Sequence, residues 1–372
     1  MNNLFLELLQ VALGTRINLS KNPSENEWKL IFYESQRQAI VGVMACGLEY
    51  LPKEQKPPQE ILLQWIGITI QIERRNIITT KACREIVEQF KKDNFKTCVL
   101  KGQANHRYYP REMQNRRNCG DVDVWTLPKD GRRKKEDVRR VLEYIKRNYE
   151  LTGLCWLHCN FNHRSGIPVE VHFHPSFLNE PIRNRRFLMH FQDIEQLSCN
   201  CCVEGVELPV MRIDEDVIFQ MNHIFRHLID EGVGLRQIID YYWLLLEWNK
   251  QHSRSKKKTM RIVSYLGMKR FAGALMYVLR EVCKLPEDLL LCPASVEDGQ
   301  LLLNEIMMAG NFGQSDPRMG KLAFQSILIR QLSQAWRRFK RNLRFLTSYP
   351  EEVIWEPFTR MYHFAWKKGM LW

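Results

Sequence analysis

One stretch of the sequence, residues 119–125, constrains the fold of this chain more than any other. It reads Cys-Gly-Asp-Val-Asp-Val-Trp, so that Asp121 and Asp123 stand two residues apart in an apolar run. Side chains alternate along a β-strand, and the pattern therefore predicts that both carboxylates lie on one face of a strand. Two carboxylates so placed repel one another and raise each other's pKa. A divalent cation between them would remove the repulsion, and magnesium, which takes oxygen ligands, is the natural candidate.

A second alternating stretch, residues 166–174, supplies a third carboxylate. Glu170, His172 and His174 occupy alternate positions and share one predicted face, while Val169, Val171 and Phe173 share the other. If this strand lies beside the strand of the two aspartates, Glu170 joins them. Residues 163–166 predict the turn of a hairpin that places Glu170 centrally.

The segment between the first predicted strand and the two aspartates is rich in groups that bind phosphate. Residues 96–100 predict a short buried strand that ends at Gly102. A turn followed by a helix presents backbone N–H groups to phosphates, and Lys101 could add positive charge there. Arg116 and Arg117 precede the acidic strand and could hold phosphate oxygens. A solvated basic loop explains these two arginines equally well.

These motifs together resemble the nucleotidyltransferase superfamily with the polymerase-β-like fold. More narrowly, they are similar to a bacterial family of uncharacterised nucleotidyltransferases. The motifs that carry the resemblance are Leu100-Lys101-Gly102, Tyr109-Pro110, Arg116 or Arg117 followed by Gly120-Asp121-Val122-Asp123, and Glu170-Val171-His172. The resemblance continues through His223, Arg226, His227, Leu235-Arg236 and Asp240, and it covers most of the chain.

The resemblance implies transfer of a nucleoside monophosphate from a nucleoside triphosphate to a hydroxyl acceptor, with release of pyrophosphate. Asp121, Asp123 and Glu170 would be catalytic and would hold two Mg²⁺ ions. The residues implied to bind the nucleotide and its cofactor are Lys101, Gly102, Arg116, Arg117, Gly120 and His172. The acceptor is left open among tRNA, protein and small molecules, and the formal net charge of +13 weakly favours RNA.

The fold class predicted from these patterns is α+β. A small mixed β-sheet of nucleotidyltransferase type would form a core over residues 94–212, between an N-terminal helical region (1–93) and a C-terminal helical domain (213–372). Apolar periodicity predicts two helical segments within residues 1–52 and further helices over 59–90, 132–149, from 214 onwards and over 235–248. Residues 176–207 show no clear pattern.

Composition indicates a soluble globular protein of the cytoplasm. Hydrophobic residues make up 45% of the 372, and the sequence starts without a basic segment followed by an apolar one, so we expect neither a secretory signal nor a membrane span. The 11 cysteines are scattered, which favours reduced thiols. The cluster at residues 199–202, and Cys155 with its neighbouring histidines, make zinc a less favoured alternative.

Two other functions are compatible with the sequence. The chain has Gly102-Gln103 where the superfamily usually has Gly-Gly or Gly-Ser, which would suit a catalytically silent relative that binds a nucleotide or a partner. Residues 318–344 hold eight Lys or Arg and no acid, interleaved with aromatic residues, which would suit a nucleic-acid-binding module. His223 and His227 share one helical face, where packing is favoured over metal binding.

Overall fold

The computed structural model describes residues 3–132, 135–250, 255–313, 316–319 and 336–370. Four helices precede the sheet: α1 (Asn3–Ala12), α2 (Glu25–Arg37), α3 (Val41–Tyr50) and α4 (Gln59–Lys92). A capping box between Ser24 and Glu27 starts α2. The two segments predicted for residues 1–52 are three helices, because Ala39 adopts a left-handed backbone (φ 55°) that separates α2 from α3. The long helix predicted from residue 59 is confirmed.

A seven-stranded mixed sheet forms the centre of the molecule. Its strands are β1 (Phe95–Val99), β2 (Val122–Pro128), β3 (Leu151–Leu154), β4 (His158–Asn162), β5 (Pro168–His172), β6 (Ser198–Val203) and β7 (Val206–Met211). They lie in the order β3-β4-β5-β2-β1-β7-β6. β2 runs antiparallel to β1 and parallel to β5, and β1 runs parallel to β7. The predicted α+β fold with a mixed sheet is confirmed.

Short helices connect the strands. They are α5 (Gln103–His106), α6 (Arg111–Gln114), α7 (Lys135–Asn148), α8 (Pro181–His190) and α9 (Ile194–Leu197). The β4–β5 hairpin turns at Gly166, where φ is 78°, as the sequence predicted. The unpatterned segment 176–207 contains α8, α9 and β6. Its edge strand β6 is largely polar and half-exposed, so it lacks the apolar alternation that marks a strand.

Further helices follow the sheet in the described part of the chain: α10 (Ile213–Asp230), α11 (Leu235–Asn249), α12 (Lys256–Tyr265), α13 (Lys269–Cys283), α14 (Val296–Ala309) and α15 (Pro350–Met370). Residues 336–342 are also helical. Buried hydrogen bonds tie these helices to the N-terminal ones: Gln10 Nε2 donates to the Val282 carbonyl, and Gln38 Nε2 donates to the Ile306 carbonyl. All seven strands lie within residues 94–212, and the division into three domains stays a prediction.

The two faces of the sheet contact different cores. Val122, Val124 and the valines of β5 pack against the second half of α4 and against α7. Trp125 and Leu127 face the larger core, which contains both the N-terminal and the C-terminal helices. In the described residues, no helix is both long and apolar enough to cross a bilayer.

Candidate active site

Strand register brings the acidic residues of two motifs together. In the parallel pair of β2 and β5, Asp123 stands directly opposite Glu170, and Trp125 stands opposite His172. Glu170 and His172 therefore lie on the same face of the sheet as Asp123, as the alternation predicted. The neighbouring β4 adds His158 opposite His172 and Asn160 opposite Glu170, so this face carries a polar row across three strands.

Asp123, Glu170 and His172 form a compact cluster. Their potential ligand atoms lie within 4.8 Å of one another, which among the described residues makes them the one such group able to share a metal ion. His172 Nε2 is 3.0 Å from Asp123 Oδ1 and 3.5 Å from Glu170 Oε2. Asp123 and His172 are buried, whereas the Glu170 side chain is 25% exposed and gives the cluster access to solvent.

Lys101 and His172 both lie against the carboxylates and stabilise their ionised form. Lys101 Nζ lies 2.8 Å from Asp123 Oδ2. Burial raises the pKa of Asp123, but Lys101 and His172 outweigh burial and hold it below its usual value. Burial likewise acts against ionisation of Glu170, yet His172 and Lys101 lower its pKa to about 2. Burial lowers the pKa of Lys101 and of His172, and the adjacent carboxylates raise both above their usual values.

Asp121 lies just before β2 and not in the cluster. The strand starts at Val122, so the strict strand alternation that linked Asp121 to Asp123 in the sequence does not extend to Asp121. Both aspartates nevertheless line one small cavity, together with Lys101, Gly102 and Gly120. Gly102 has a φ of 62°, a backbone conformation that favours glycine, and it caps α5 at the cavity edge.

The opposite wall of the cavity comes from α10 and α11, which carry the part of the family resemblance that includes His223, Arg236 and Asp240. Arg236 and Gln237 stand in the first turn of α11, and His223 of α10 lies beside them. Arg236 Nε and Gln237 Nε2 are buried with no hydrogen-bond partner within the described structure. Burial lowers the pKa of Arg236, which still remains cationic at neutral pH. Two unsatisfied donors near a helix N-terminus form a wall suited to an anion.

This donor set fits a divalent cation. Two carboxylates on adjacent strands with an imidazole between them provide oxygen and nitrogen ligands, and a third carboxylate, Asp121, borders the adjoining cavity. Carboxylates suit Mg²⁺ and Mn²⁺, while the imidazole also suits Mn²⁺ and other transition metals.

Comparison with known proteins identifies the family of the chain. The model of the family described as uncharacterised nucleotidyltransferase matches residues 24–284, more than half of the chain and every member of the cluster. The chain belongs to this nucleotidyltransferase family. No curated protein matches its sequence. Among solved structures, the chain is similar to an antigenic nucleotidyltransferase-like protein from Paracoccidioides brasiliensis. That likeness has 10% sequence identity and a TM-score of 0.32, and it covers 55% of this chain and 94% of the other.

In this family member the two adjacent arginines have different surroundings. Arg117 is buried and holds Asp240 of α11 with two hydrogen bonds, of 2.7 and 2.6 Å, while Tyr109 donates a third at 2.6 Å. Arg116 points away, to Glu49 and Glu73 of the N-terminal helices, and does not line the cavity. The structure therefore brings Arg117 to the site and leaves Arg116 outside it. Arg236 and Asp240 lie one turn apart on α11 but do not pair with each other, because the carboxylate of Asp240 is bound by Arg117.

The remaining candidate ligands do not assemble into metal sites. All 11 cysteines are free, and no zinc cluster occurs among the described residues. His223 and His227 pack ring against ring, with centroids 4.3 Å apart, and burial lowers the pKa of both. Most of the basic segment 318–344 lies outside the described residues. Within its described part, Arg318 and Arg344 pair with Glu305.

Proposed function

We propose that this protein is a metal-dependent nucleotidyltransferase that moves a nucleoside monophosphate from a nucleoside triphosphate to a hydroxyl acceptor. One observation carries the proposal: a single cavity has carboxylates on one wall and unsatisfied cationic and amide donors on the other. A cation bound at the first wall and phosphates held by the second would satisfy both. Buried donors in proteins are normally paired, so a phosphate is a suitable partner for Arg236 and Gln237.

Asp123, Glu170 and His172 would hold the cation, with Asp121 at the border of the site. When bound, the cation would neutralise phosphate charge and lower the pKa of the attacking hydroxyl. It would take over the charge compensation that Lys101 now provides to Asp123. Mg²⁺ is our proposal for the ion, with Mn²⁺ as the close alternative that His172 favours.

The phosphates would lie between the turn after β1 and the first turn of α11. Lys101 and Arg236 would neutralise their charge, and Gln237 and the backbone at Gly102 would donate hydrogen bonds. Arg117 would have a positioning role, because its ion pair with Asp240 holds the loop that carries Gly120 and Asp121 against α11. We assign no phosphate contact to Arg116.

In the proposed reaction the acceptor oxygen attacks the α-phosphorus and forms a new P–O ester bond. The bond from the α-phosphorus to the bridging oxygen of the β-phosphate breaks, and pyrophosphate leaves. The hydroxyl proton is released to the base of the buffer, and a pKa of about 2 makes Glu170 a poor general base. Glu170 therefore belongs to cation binding in this scheme.

A catalytically silent relative is a second candidate, supported by the size of the cavity. The enclosed space is about 30 Å³, enough for only a few water molecules. The ring of Phe312 covers Arg236, with the guanidinium carbon 5.1 Å from the ring centroid. Lys101 forms an ion pair with Asp123, the carboxylate that would bind the cation. A triphosphate would have to displace both groups, and a silent relative would leave them in place.

A labelling experiment separates the two candidates. The purified full-length protein is incubated with each α-³²P nucleoside triphosphate, Mg²⁺ or Mn²⁺, and a total cell extract, in parallel with an Asp121→Ala/Asp123→Ala variant. The matched control is Asp130→Ala, which removes an exposed carboxylate far from the cavity. Transfer of label by the wild type and the control alone would support the transferase. Nucleotide binding without transfer would favour the silent relative.

A further inference from the structure

An aromatic groove lies between α8 and α15, outside the cavity described above. Its volume is about 620 Å³, within the range of ligand pockets. We use the name aromatic groove for the surface formed mainly by Trp156, Leu188, Met189, Trp355, Phe358 and Tyr362. The proposed function makes no use of this surface.

The groove presents flat rings to solvent. Trp355, Phe358 and Tyr362 follow one another at positions i, i+3 and i+7 of α15, and therefore share a helical face. Phe358 and Tyr362 are 56% and 58% exposed, although rings of this size are normally buried. Below them, Trp156 is stacked between His174 and His363, with centroid distances of 4.4 and 4.8 Å. This stack gives the groove a rigid aromatic floor.

The charged side chains that line the groove in the described part of the chain are all basic. Arg132 and Arg185 line it, and none of the described residues that line it is acidic. Neither arginine side chain has an ion-pair or hydrogen-bond partner in the described part of the chain, and both residues are exposed. Asn184 and Gln192 add amide donors and acceptors. The groove thus suits a ligand with planar groups, polar edges and negative charge.

Trp156 connects the floor of the groove to the region of the metal cluster. It stacks on His174, which lies two residues past the end of β5 at His172, so the strand alternation predicted for His174 does not reach it. His158, two residues after Trp156, lies with its Nε2 3.8 Å from Glu170 Oε2. The floor of the groove at Trp156 is therefore two residues along the chain from His158, which contacts the half-exposed carboxylate of Glu170.

We propose that the aromatic groove binds the single-stranded 3′ end of an RNA acceptor. Bases would stack on the exposed rings of α15, and Arg132 and Arg185 would contact the phosphates. The terminal hydroxyl would then reach the cluster from its solvent side and act as the nucleophile of the proposed transfer. The step balances as before: one phosphodiester bond forms, one phosphoanhydride bond breaks, and pyrophosphate leaves. This inference rests on the proposed function and names its acceptor.

The test measures RNA binding apart from transfer. A 5′-fluorescein single-stranded RNA of 12 nucleotides is titrated with full-length protein in EDTA, and the anisotropy is followed over a range of salt concentrations. The variants are Arg132→Gln/Arg185→Gln and Phe358→Ala/Tyr362→Ala. The control variant Lys53→Gln/Lys56→Gln removes the same charge from the exposed segment before α4. Circular dichroism and thermal melting check that each variant is folded.

We expect the aromatic variant to bind RNA at least about fivefold more weakly, the lower limit for loss of one stacked base. The arginine variant should lower the slope of log K against log salt by about 1.4, the value for two phosphate contacts on a single strand. Equal binding by the groove variants and the control would overturn the inference, and so would binding of anionic vesicles in place of RNA. Groove-dependent RNA binding without label transfer would support the inference while contradicting the proposed function. If label is transferred to an acceptor other than RNA, and both groove variants leave that transfer unchanged, the result would contradict the inference and support the proposed function.

Discussion

The two faces of the central sheet are made by the same strands and differ in almost every physical property. On one face, Val122 and Val124 of β2 pack with the valines of β5 against α4 and α7, with no exposed surface. On the other face, Asp123 alternates with these valines and meets Glu170 and His172. Apolar burial on the first face stabilises the fold by roughly 25 cal/mol for each Å² removed from water.

The polar face contributes to stability only as far as its charges are compensated. An isolated buried carboxylate is strongly unfavourable, and here two carboxylates are matched by Lys101 and His172. A slip of one residue in the β2–β5 register would exchange the faces, so the valines fix the geometry of the cluster. We therefore expect changes on the valine face to alter stability first and changes on the polar face to alter activity first.

The largest expected effect follows from Glu170→Gln on the polar face. This change keeps the size of the side chain but removes a negative charge from the proposed cation site. We expect transfer of the α-phosphate label to fall by more than about 100-fold. Loss of a residue that only orients a metal ligand already costs about 10- to 100-fold, and Glu170 is proposed to bind the ion itself. The folded state should persist in circular dichroism. A variant with wild-type activity would contradict the assignment of Glu170.

Arg117→Gln breaks the pair that joins the loop before β2 to α11. It leaves Asp240 buried with Tyr109 as its remaining partner, and loss of one member of a buried pair costs about 3–5 kcal/mol. Urea denaturation should show this loss in the free energy of unfolding. The double variant Arg117→Gln/Asp240→Asn should recover part of it, and a fully additive result would count against the pair.

Glu352 of α15 is a buried carboxylate without the compensation that Asp123 has. It accepts a hydrogen bond from the Asn179 backbone N–H, while burial raises its pKa from 4.5 to about 7. The folded state therefore binds more protons than the unfolded state between pH 4.5 and 7, and stability falls as the pH rises through this range. This shift corresponds to about 3 kcal/mol.

Glu352→Gln tests this dependence. The Gln variant keeps an acceptor for Asn179 but cannot ionise. We expect it to unfold at a higher temperature than the wild type above pH 7 and to match it near pH 4.5. Parallel pH profiles for the two proteins would show that Glu352 is not the source of the dependence.

Val171→Ala is the counterpart of Glu170→Gln on the opposite face of β5. Val171 is fully buried, and removal of its two methyl groups should lower the free energy of unfolding by about 2 kcal/mol. The rate of label transfer per folded molecule should stay within about twofold of wild type, because no charged group moves. A large loss of activity in the folded protein would contradict the expectation that the valine face affects stability rather than activity.

The smallest effect is expected for Arg116→Gln. Its bonds to Glu49 and Glu73 are partly exposed, and such pairs contribute about 0–1 kcal/mol. Activity should be unchanged, in contrast to Arg117→Gln. A marked rise in the KM for the nucleoside triphosphate would instead place Arg116 on the phosphates.

The sequence sufficed for the parts of the site that depend on strand periodicity. Glu170 and His172 share a face because side chains alternate, and that rule needs no tertiary information. Parallel pairing of β2 with β5 then completes the cluster as the motifs suggested. The same reasoning placed Asp121 in the strand, yet the strand begins one residue later. Element boundaries depend on hydrogen bonds that the local sequence does not specify.

Contacts between distant segments could not be predicted from local patterns. Arg116 and Arg117 are neighbours of the same type, and their different roles depend on Glu49, Glu73 and Asp240, which are all far away in sequence. Arg236 and Gln237 reach the cavity only through the packing of α11 against the loop before β2. The edge strand β6 was missed because its polar residues show no periodic pattern, and its pairing with β7 decides its conformation.

Binding of Mn²⁺ tests the central claim most directly. Electron paramagnetic resonance measures the free ion while wild-type protein, Asp123→Asn and Val171→Ala are titrated with Mn²⁺ in the absence of nucleotide. We predict that the wild type and Val171→Ala bind the ion, that Mg²⁺ competes with it, and that Asp123→Asn binds it at least about tenfold more weakly. Equal binding by the wild type and Asp123→Asn would contradict a cation site on the polar face of the sheet.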